Sequence, residues 1–482
     1  MVFVQKIFDY ILRIFEKSVQ NFGIMWYNFG MENLSKNIVA ISTPIGNGGI
    51  SIIRMSGNTV LSIAERVFFA NTKVGDFEPR KLYLGTFKYR DIEDKCMCVY
   101  FKAPFSYTGE DLIEFQCHGG MMLTQKIFES LCDVGCVPAG KGEFSKLAFL
   151  NGKISLDEAE GVIDIINAES ESELKAGYTL MQGDLKTKVE TMQDKLTELL
   201  AKIEVTLDYP EEDLEEETYK SILDSLNKTK QEIVDLLKTA DFGRAIKDGT
   251  KILIYGRTNA GKSSLLNSLL SYNRAIVTDI QGTTRDTIEE TFLYKGFKFI
   301  LIDTAGIRKA DNLVEEIGIN RSKDMLKSAD IVLFVIDGSK EITSDDLTIA
   351  NSLRDKNCIL CVNKSDLKQI ANVDKLGIKE VINVSCESGE NIDNLKEKLY
   401  KFVTNKNINN NATIITNSRH INSLKDALKN INNAIQAIDN MIDLSLISID
   451  IKNAWLSLGD ITGNSDNEKI IDDIFSKFCV GK

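Results

Sequence analysis

Hydrophobic residues follow three different patterns along the chain, and each pattern predicts a different kind of structure. In residues 31–150, short β-rich runs such as 37–42 and 49–54 alternate with Gly and Pro turns. Such runs between turn residues predict strands of a compact α/β domain. From residue 155 to about 239, apolar residues recur at spacings of three and four. This spacing predicts helices, and the stripe that begins at Leu174 and ends at Ile203 predicts one long helix.

Residues 251–402 show a third pattern, in which apolar runs alternate with helical stretches and no proline occurs. This alternation predicts a mostly parallel sheet with helices on both faces. The strand candidates are residues 251–255, 299–302, 331–336, 358–362 and 381–384. An Asn-rich segment, 405–411, is typical of a linker, and residues 418–482 return to the helical pattern. We expect the two helical regions to pack together, with the α/β domain inserted between them.

These patterns divide the chain into five parts. They are an N-terminal extension (1–30), an α/β domain (31–150), a first helical part (151–248), a second α/β domain (249–404), and a linker with the second helical part (405–482).

Composition narrows the function classes. The 482 residues include 43% hydrophobic and 27% charged residues, which excludes a disordered or collagen-like chain. The net charge of −12 excludes a basic nucleic-acid coat, although a local basic patch remains compatible with RNA. Nine cysteines and two histidines in so long a chain are not typical of a secreted disulfide framework, so we expect a reducing, cytoplasmic location.

The first thirty residues are aromatic and amphipathic, with charged residues interspersed. No uncharged apolar run reaches the roughly 18 residues of a membrane span. Two interpretations stay open: a membrane-surface or targeting helix, and an extension outside the fold, with Met31 as an alternative start. We expect the second and no stable membrane association.

The segment 256–263, Gly-Arg-Thr-Asn-Ala-Gly-Lys-Ser, fits the phosphate-binding P-loop pattern between a predicted strand and a predicted helix. Glycines let backbone N–H groups approach phosphates. The Lys262 ammonium suits the β- and γ-phosphate oxygens, and the Ser263 hydroxyl suits Mg²⁺.

Two further motifs follow later strands. Asp303-Thr-Ala-Gly306 suits the Mg²⁺ shell and the γ-phosphate. Asn363-Lys-Ser-Asp366 offers the Asp366 carboxylate to guanine N1–H and N2–H₂, a donor pair that adenine lacks. Ser385-Cys386-Glu387 offers backbone contacts to the guanine oxygen. Together these motifs predict a GTP site.

The expected hydrolysis machinery is unusual. Many GTPases carry Gln directly after the DTAG-like glycine, but Ile307 stands here and cannot orient water through its side chain. Thr284 in Gly282-Thr-Thr-Arg-Asp286 is the candidate second Mg²⁺ ligand.

These motifs, the segment Val277–Asp286, Glu315-Glu-Ile-Gly-Ile319 and the terminal Cys-Val-Gly-Lys482 together resemble the MnmE (TrmE) family of tRNA modification GTPases. The resemblance runs from about residue 37 to the end and implies a multidomain fold. It comprises an N-terminal α/β tetrahydrofolate-binding and dimerisation domain, a central helical domain, and an inserted Ras-like P-loop G domain with a mostly parallel sheet.

The resemblance also implies a function. It implies a K⁺-dependent GTPase that works as a homodimer with the FAD-containing MnmG (GidA) protein, in a heterotetramer. The pair adds an aminomethyl or carboxymethylaminomethyl group to C5 of the wobble uridine of certain tRNAs, using methylene-tetrahydrofolate.

Where the motifs match, the family resemblance also implies roles for individual residues of this chain. The implied K⁺ ligands are Asn259, Thr278, Ile280 and Thr283, and the implied catalytic residues are Glu315, Lys262 and Cys479. The implied folate-binding residues are Arg54, Glu114, Lys153 and Lys482. The full predicted GTP site comprises Asn259, Ala260, Gly261, Lys262, Ser263, Ser264, Thr278, Asp279, Ile280, Gln281, Gly282, Thr283, Thr284, Asp303, Thr304, Ala305, Gly306, Asn363, Lys364, Ser365, Asp366, Ser385, Cys386 and Glu387.

Plainer interpretations stay open for some of these residues. Outside the resemblance, Glu315 is typical of a surface helix charge, and the folate candidates are typical of salt bridges or capped turns. Cys479 is equally compatible with an idle thiol. For the whole chain, the alternative function is a GTP-switched RNA-binding factor of ribosome assembly.

Overall fold

The structure is a computed structural model, and it describes residues 36–208, 215–271, 289–303, 325–404, 413–464 and 468–482. Its contacts divide the chain into two compact units. The first holds the described residues up to 163 together with those in 179–233 and 422–482. The second holds those in 164–178 and 234–421.

The described elements alternate between strand-rich and helix-rich regions. The strands are β1 (Asn37–Ile41), β2 (Ile50–Ser56), β3 (Phe68–Ala70), β4 (Leu82–Tyr89), β5 (Ile92–Phe101), β6 (Leu112–His118), β7 (Cys136–Pro138), β8 (Thr250–Tyr255), β9 (Glu289–Tyr294), β10 (Phe297–Asp303), β11 (Ile331–Asp337), β12 (Cys358–Asn363) and β13 (Glu380–Val384). The α-helices are α1 (Val60–Val67), α2 (Met121–Asp133), α3 (Glu143–Leu150), α4 (Leu156–Asn167), α5 (Glu171–Met181), α6 (Asp184–Asp208), α7 (Glu215–Leu237), α8 (Ala240–Lys247), α9 (Lys262–Leu270), α10 (Ser344–Ser352), α11 (Ile392–Thr404), α12 (Ser418–Asp439), α13 (Leu444–Thr462) and α14 (Glu468–Ser476).

The first unit contains a seven-stranded sheet of order β3-β4-β5-β6-β2-β1-β7, antiparallel except for the β1–β7 pair. Alternate residues of its strands face a core that includes Ile53, Met55 and Phe115. Helix α1 packs on this core because its buried residues recur at helical spacing. On the other face, Phe144 of α3 packs with Ile38.

In the first unit, helices that are far apart in sequence pack against one another. Helix α13 packs along α6, where Gln193 Nε2 donates to the Trp455 carbonyl at 3.1 Å and Trp455 Nε1 donates to Thr197 Oγ1 at 3.1 Å. At the chain end, Phe475 of α14 packs with Leu156. The expected packing of the two helical regions is therefore confirmed.

The prediction of a single long helix between Leu174 and Ile203 is wrong. The chain turns at Gly183, which has φ +81°, so α5 ends at Met181 and α6 begins at Asp184. Leu174 is 49% exposed, whereas Leu185 and the later stripe positions are buried. The left-handed conformation of Gly183 ends the helix. Because the apolar spacing continues on both sides of the turn, that spacing does not indicate the break.

The second unit contains a six-stranded sheet of order β13-β12-β11-β8-β10-β9, parallel except for the β9–β10 pair. Strand β11 is buried on both faces: Leu333 faces a core with α9 and α11, and Phe334 faces a core with α10. A continuous apolar run is typical of such a doubly covered parallel strand. The five predicted strands and the helices on both faces are confirmed.

The sheet has one strand that the apolar pattern did not predict. Strand β9 lies at the sheet edge, and Phe292 is its only buried residue, so the hydrophobic signal is weak. The extension 1–30 and the linker 405–411 lie outside the described residues.

Candidate nucleotide site and a second polar site

The predicted phosphate- and base-binding motifs of the second unit follow parallel strands that end at one edge of the sheet. The P-loop follows β8, Asn363 ends β12, and Ser385 follows β13. In open parallel sheets, ligands bind outside the carboxyl ends of the strands. The topology therefore brings the phosphate and base motifs to one edge.

The P-loop has the backbone that phosphate binding requires. Gly261 has φ +97°, and a Cβ there would lie 2.0 Å from Asn363 Nδ2, so only glycine fits this position. Helix α9 begins at Lys262, so its free N–H groups and positive dipole end favour an anion. Lys262 is 9% exposed, and its ammonium donates to the Arg257 carbonyl at 2.8 Å. Ser263 and Ser264 are exposed in the first helical turn.

A buried asparagine joins the P-loop to the base-binding motif. Asn363 is 3% exposed, and its Nδ2 donates to the Ala260 carbonyl at 3.1 Å. Its Oδ1 accepts from the backbone N–H of Cys386 at 3.3 Å. One side chain thus fixes three predicted binding segments relative to one another.

The predicted base-binding carboxylate, Asp366, is oriented by a buried serine. Ser385 is fully buried, and its Oγ donates to Asp366 Oδ1 at 2.6 Å. Asp366 itself is exposed, as is Glu387. The bond fixes the orientation of the Asp366 carboxylate on its exposed loop. Burial raises the pKa of the Cys386 thiol, which suits a backbone role for this residue.

Part of the predicted GTP site lies outside the described residues. These are Thr278, Asp279, Ile280, Gln281, Gly282, Thr283, Thr284, Thr304, Ala305, Gly306 and Glu315. Asp303 is the last residue of β10.

A second polar site lies in the first unit, on the sheet face that α3 covers. Arg54 and Glu114 are directly opposite each other on β2 and β6. The Arg54 guanidinium donates through Nε and Nη2 to Glu114 Oε1, both at 2.8 Å, and the two side chains are 19% and 13% exposed. The guanidinium also lies 5.7 Å from the ring centroids of Tyr107 and Phe144.

The C-terminal tail contacts this second site. Val480 forms an antiparallel bridge with Lys141, and the Cys479 carbonyl accepts from the Gly142 N–H at 3.4 Å. The Gly481 carbonyl accepts from Ser42 Oγ at 3.2 Å and from Arg54 Nη1 at 3.4 Å. The tail therefore ends beside the Arg54–Glu114 pair.

The tail carries two of the predicted site residues, Lys482 and Cys479, and their side chains lie in different environments. Burial lowers the pKa of the Lys482 ammonium, and the nearby Arg54 charge lowers it further. The Cys479 thiol is exposed.

The chain matches known proteins over almost its whole length. A family model of the MnmE helical domain matches residues 156–479, and a model of the GTP-binding protein TrmE N-terminus matches residues 37–153. The tRNA modification GTPase MnmE of Clostridioides difficile is 40% identical over 457 residues, which cover 93% of this chain and 100% of that protein. The chain belongs to the MnmE family of tRNA modification GTPases.

A second MnmE relative matches the chain to the same extent. The MnmE protein of Alkaliphilus metalliredigens is 38% identical over 459 residues, covering 93% of this chain and all of that protein. Among solved structures, the G domain of the T. maritima FeoB iron transporter is similar to 32% of this chain, at 24% identity and a TM-score of 0.23.

Among the described residues, no helix is both long and apolar enough to cross a membrane.

The structure brings together only part of the folate-binding set that the MnmE resemblance predicts. Arg54 contacts both Glu114 and the end of the tail. Lys153 is exposed, and its ammonium donates to the Pro104 carbonyl at 2.9 Å, on the loop between β5 and β6 that also carries Tyr107.

Two residues of this loop were missed by the sequence reasoning. Tyr107 packs on Arg54 and bonds Ser145 Oγ at 2.7 Å. Glu110 accepts from Ser56 Oγ at 3.0 Å, and burial raises its pKa. Their position in the Tyr-Thr-Gly-Glu segment just before Glu114 was the available signal.

Proposed function

We propose that this chain hydrolyses GTP and, through that activity, takes part in modifying the wobble uridine of tRNA. The observation that carries the proposal is the Asn363 side chain, which ties the P-loop to the guanine motif within a chain of the MnmE family. The test is the nucleoside composition of tRNA from cells that lack this chain, where the modified wobble uridine should be missing.

The phosphate chemistry follows from the P-loop. In phosphoryl transfer, negative charge spreads over the γ-phosphate oxygens and the leaving oxygen. The N–H groups at the start of α9 and the Lys262 ammonium are fixed before the reaction, so they stabilise this charge without reorganising. Mg²⁺, held by Ser263 and Thr284, would neutralise part of the remaining charge.

A monovalent cation is the proposed replacement for an arginine finger. The exposed Asn259 has φ +62° within the P-loop and offers a neutral amide oxygen, which suits K⁺ better than a small divalent ion. The proposed further ligands are Thr278, Ile280 and Thr283, and Glu315 is the proposed group that orients the attacking water.

The Arg54–Glu114 site is proposed to bind a tetrahydrofolate. A carboxylate such as Glu114 suits the adjacent N–H donors of a pterin, and Arg54 suits its oxygen acceptors. When bound, methylene-tetrahydrofolate would supply the one-carbon unit. The exposed Cys479 is proposed to act in the modification and not in GTP hydrolysis, because the tail lies in a different unit from the P-loop.

Assembly is proposed to involve a second copy of the chain and an FAD-containing MnmG protein. Part of the seven-stranded sheet supports the homodimer. Leu84 and Met97 are directly paired on the face opposite the core, and they are 58% and 36% exposed. Exposed apolar side chains on a sheet face are typical of an interface.

Glu114→Ala is expected to weaken binding of 5-formyl-tetrahydrofolate by about tenfold or more, because it removes a charged acceptor and leaves Arg54 without its partner. Isothermal titration calorimetry measures the affinity, and GTP binding should stay unchanged. Glu93→Ala is the control, since that side chain is 60% exposed on the same sheet. Equal folate affinity in Glu114→Ala and wild type would reject the assignment.

A further inference from the structure

Asp337 is a buried carboxylate beside the guanine motif that neither the motifs nor the proposed reaction uses. It is the last residue of β11, directly paired with Asn363 of β12, and its side chain is 8% exposed. A charged side chain with so little exposure to water requires strong partners.

Both oxygens of Asp337 have such partners. Oδ2 accepts from the Lys364 ammonium at 2.7 Å, and Oδ1 accepts from Ser339 N at 3.1 Å and Ser339 Oγ at 2.6 Å. The exposed Lys340 ammonium lies 3.7 Å from Oδ2. Burial alone would raise the pKa of Asp337, but the bonds from Lys364 and Ser339 outweigh it and hold that pKa below its usual value. Asp337 therefore stays ionised at neutral pH.

The backbone of Lys364 is held in an unfavourable conformation. Its φ is +65°, which a side chain with a Cβ rarely adopts. Gly338 N donates to the Asn363 carbonyl at 2.9 Å, and Gln369 Nε2 donates to the Lys364 carbonyl at 2.7 Å. These two hydrogen bonds, one from the turn after β11 and one from the Gln369 side chain, thus hold the backbone of the predicted guanine-binding motif in place.

We propose that Asp337 is a positioning residue for guanine-nucleotide binding and that it acts through Lys364. The inference rests on the proposed GTP site. Held by Asp337, the Lys364 ammonium is neutralised and its four-carbon stem is fixed against the loop. Without Asp337, that ammonium is released two residues from Asp366 and competes with guanine for the Asp366 carboxylate.

Asp337→Asn in the full-length chain is the test. This nearly isosteric change removes the charge that holds Lys364. The rate at which a fluorescent GDP analogue dissociates should rise about tenfold, the effect of losing one charge-assisted hydrogen bond. KM for GTP should rise by a similar factor with kcat unchanged, because the P-loop is untouched. Asp355→Asn, on an exposed residue of the same domain, is the control.

A double-mutant cycle with Lys364→Met separates positioning from a general loss of structure. If Asp337 acts through Lys364, then Asp337→Asn has no further effect on dissociation in a Lys364→Met background. A full additional effect there would overturn the proposal, and so would a wild-type dissociation rate in Asp337→Asn. Failure of the proposed GTP site is distinguishable, because the wild-type chain would then not bind the GDP analogue.

Discussion

Lys262→Ala is expected to lower kcat/KM for GTP by about 10³-fold, the upper range for losing one preorganised charge-stabilising donor. Lys262 is nearly buried at the start of α9, and its ammonium is already fixed by the Arg257 carbonyl. Alanine is compatible with the helix, but it removes the positive charge of the Lys262 ammonium from the phosphate site. Phosphate release from GTP under single-turnover conditions measures the effect.

The matched control is Lys356→Ala, which removes an exposed lysine from the same domain. It should hydrolyse GTP at the wild-type rate. Hydrolysis by Lys262→Ala within a few-fold of wild type would mean that the P-loop is not the phosphate site.

Replacing K⁺ by Na⁺ is expected to slow GTP turnover by about 10³-fold or more, on the scale of an arginine finger. Ile307 stands where many GTPases have the water-orienting Gln. Other groups must therefore stabilise the transition-state charge and orient the attacking water. Asn259 offers one neutral oxygen for a large monovalent cation. Turnover is compared in matched chloride salts, with GTP affinity measured in each.

Glu315→Ala should slow turnover comparably even in saturating K⁺, because the water then lacks its orienting group. GTP affinity should change little in either experiment. Equal turnover in the two salts would reject the cation mechanism, and full-speed turnover by Glu315→Ala would reject its role in orienting water.

The nucleotide domain could be predicted well from the sequence because its signals are local. Each parallel strand is a continuous apolar run, and each motif follows its strand within a few residues. Strand β9 escaped prediction because only Phe292 is buried there. The break at Gly183 escaped because the apolar spacing continues on both sides of it.

Residue partnerships across long sequence separations needed the structure. Asp337 precedes Lys364 by 27 positions, and nothing local in either segment indicates their ion pair. Val480 near the C-terminus pairs with Lys141, far earlier in the chain, so the contact of the tail with Arg54 could be expected only through the family resemblance. Tyr107 lies in the segment just before Glu114, but this signal is weak because an aromatic ring is equally typical of a core.

Complementation tests most directly whether GTP hydrolysis by this chain supports tRNA modification. A strain that lacks the chain receives either the wild-type protein or Lys262→Ala, and the nucleosides of its tRNA are quantified by mass spectrometry. We expect that only the wild-type chain restores the modified wobble uridine. Equal restoration by a Lys262→Ala protein that is shown not to hydrolyse GTP would contradict it.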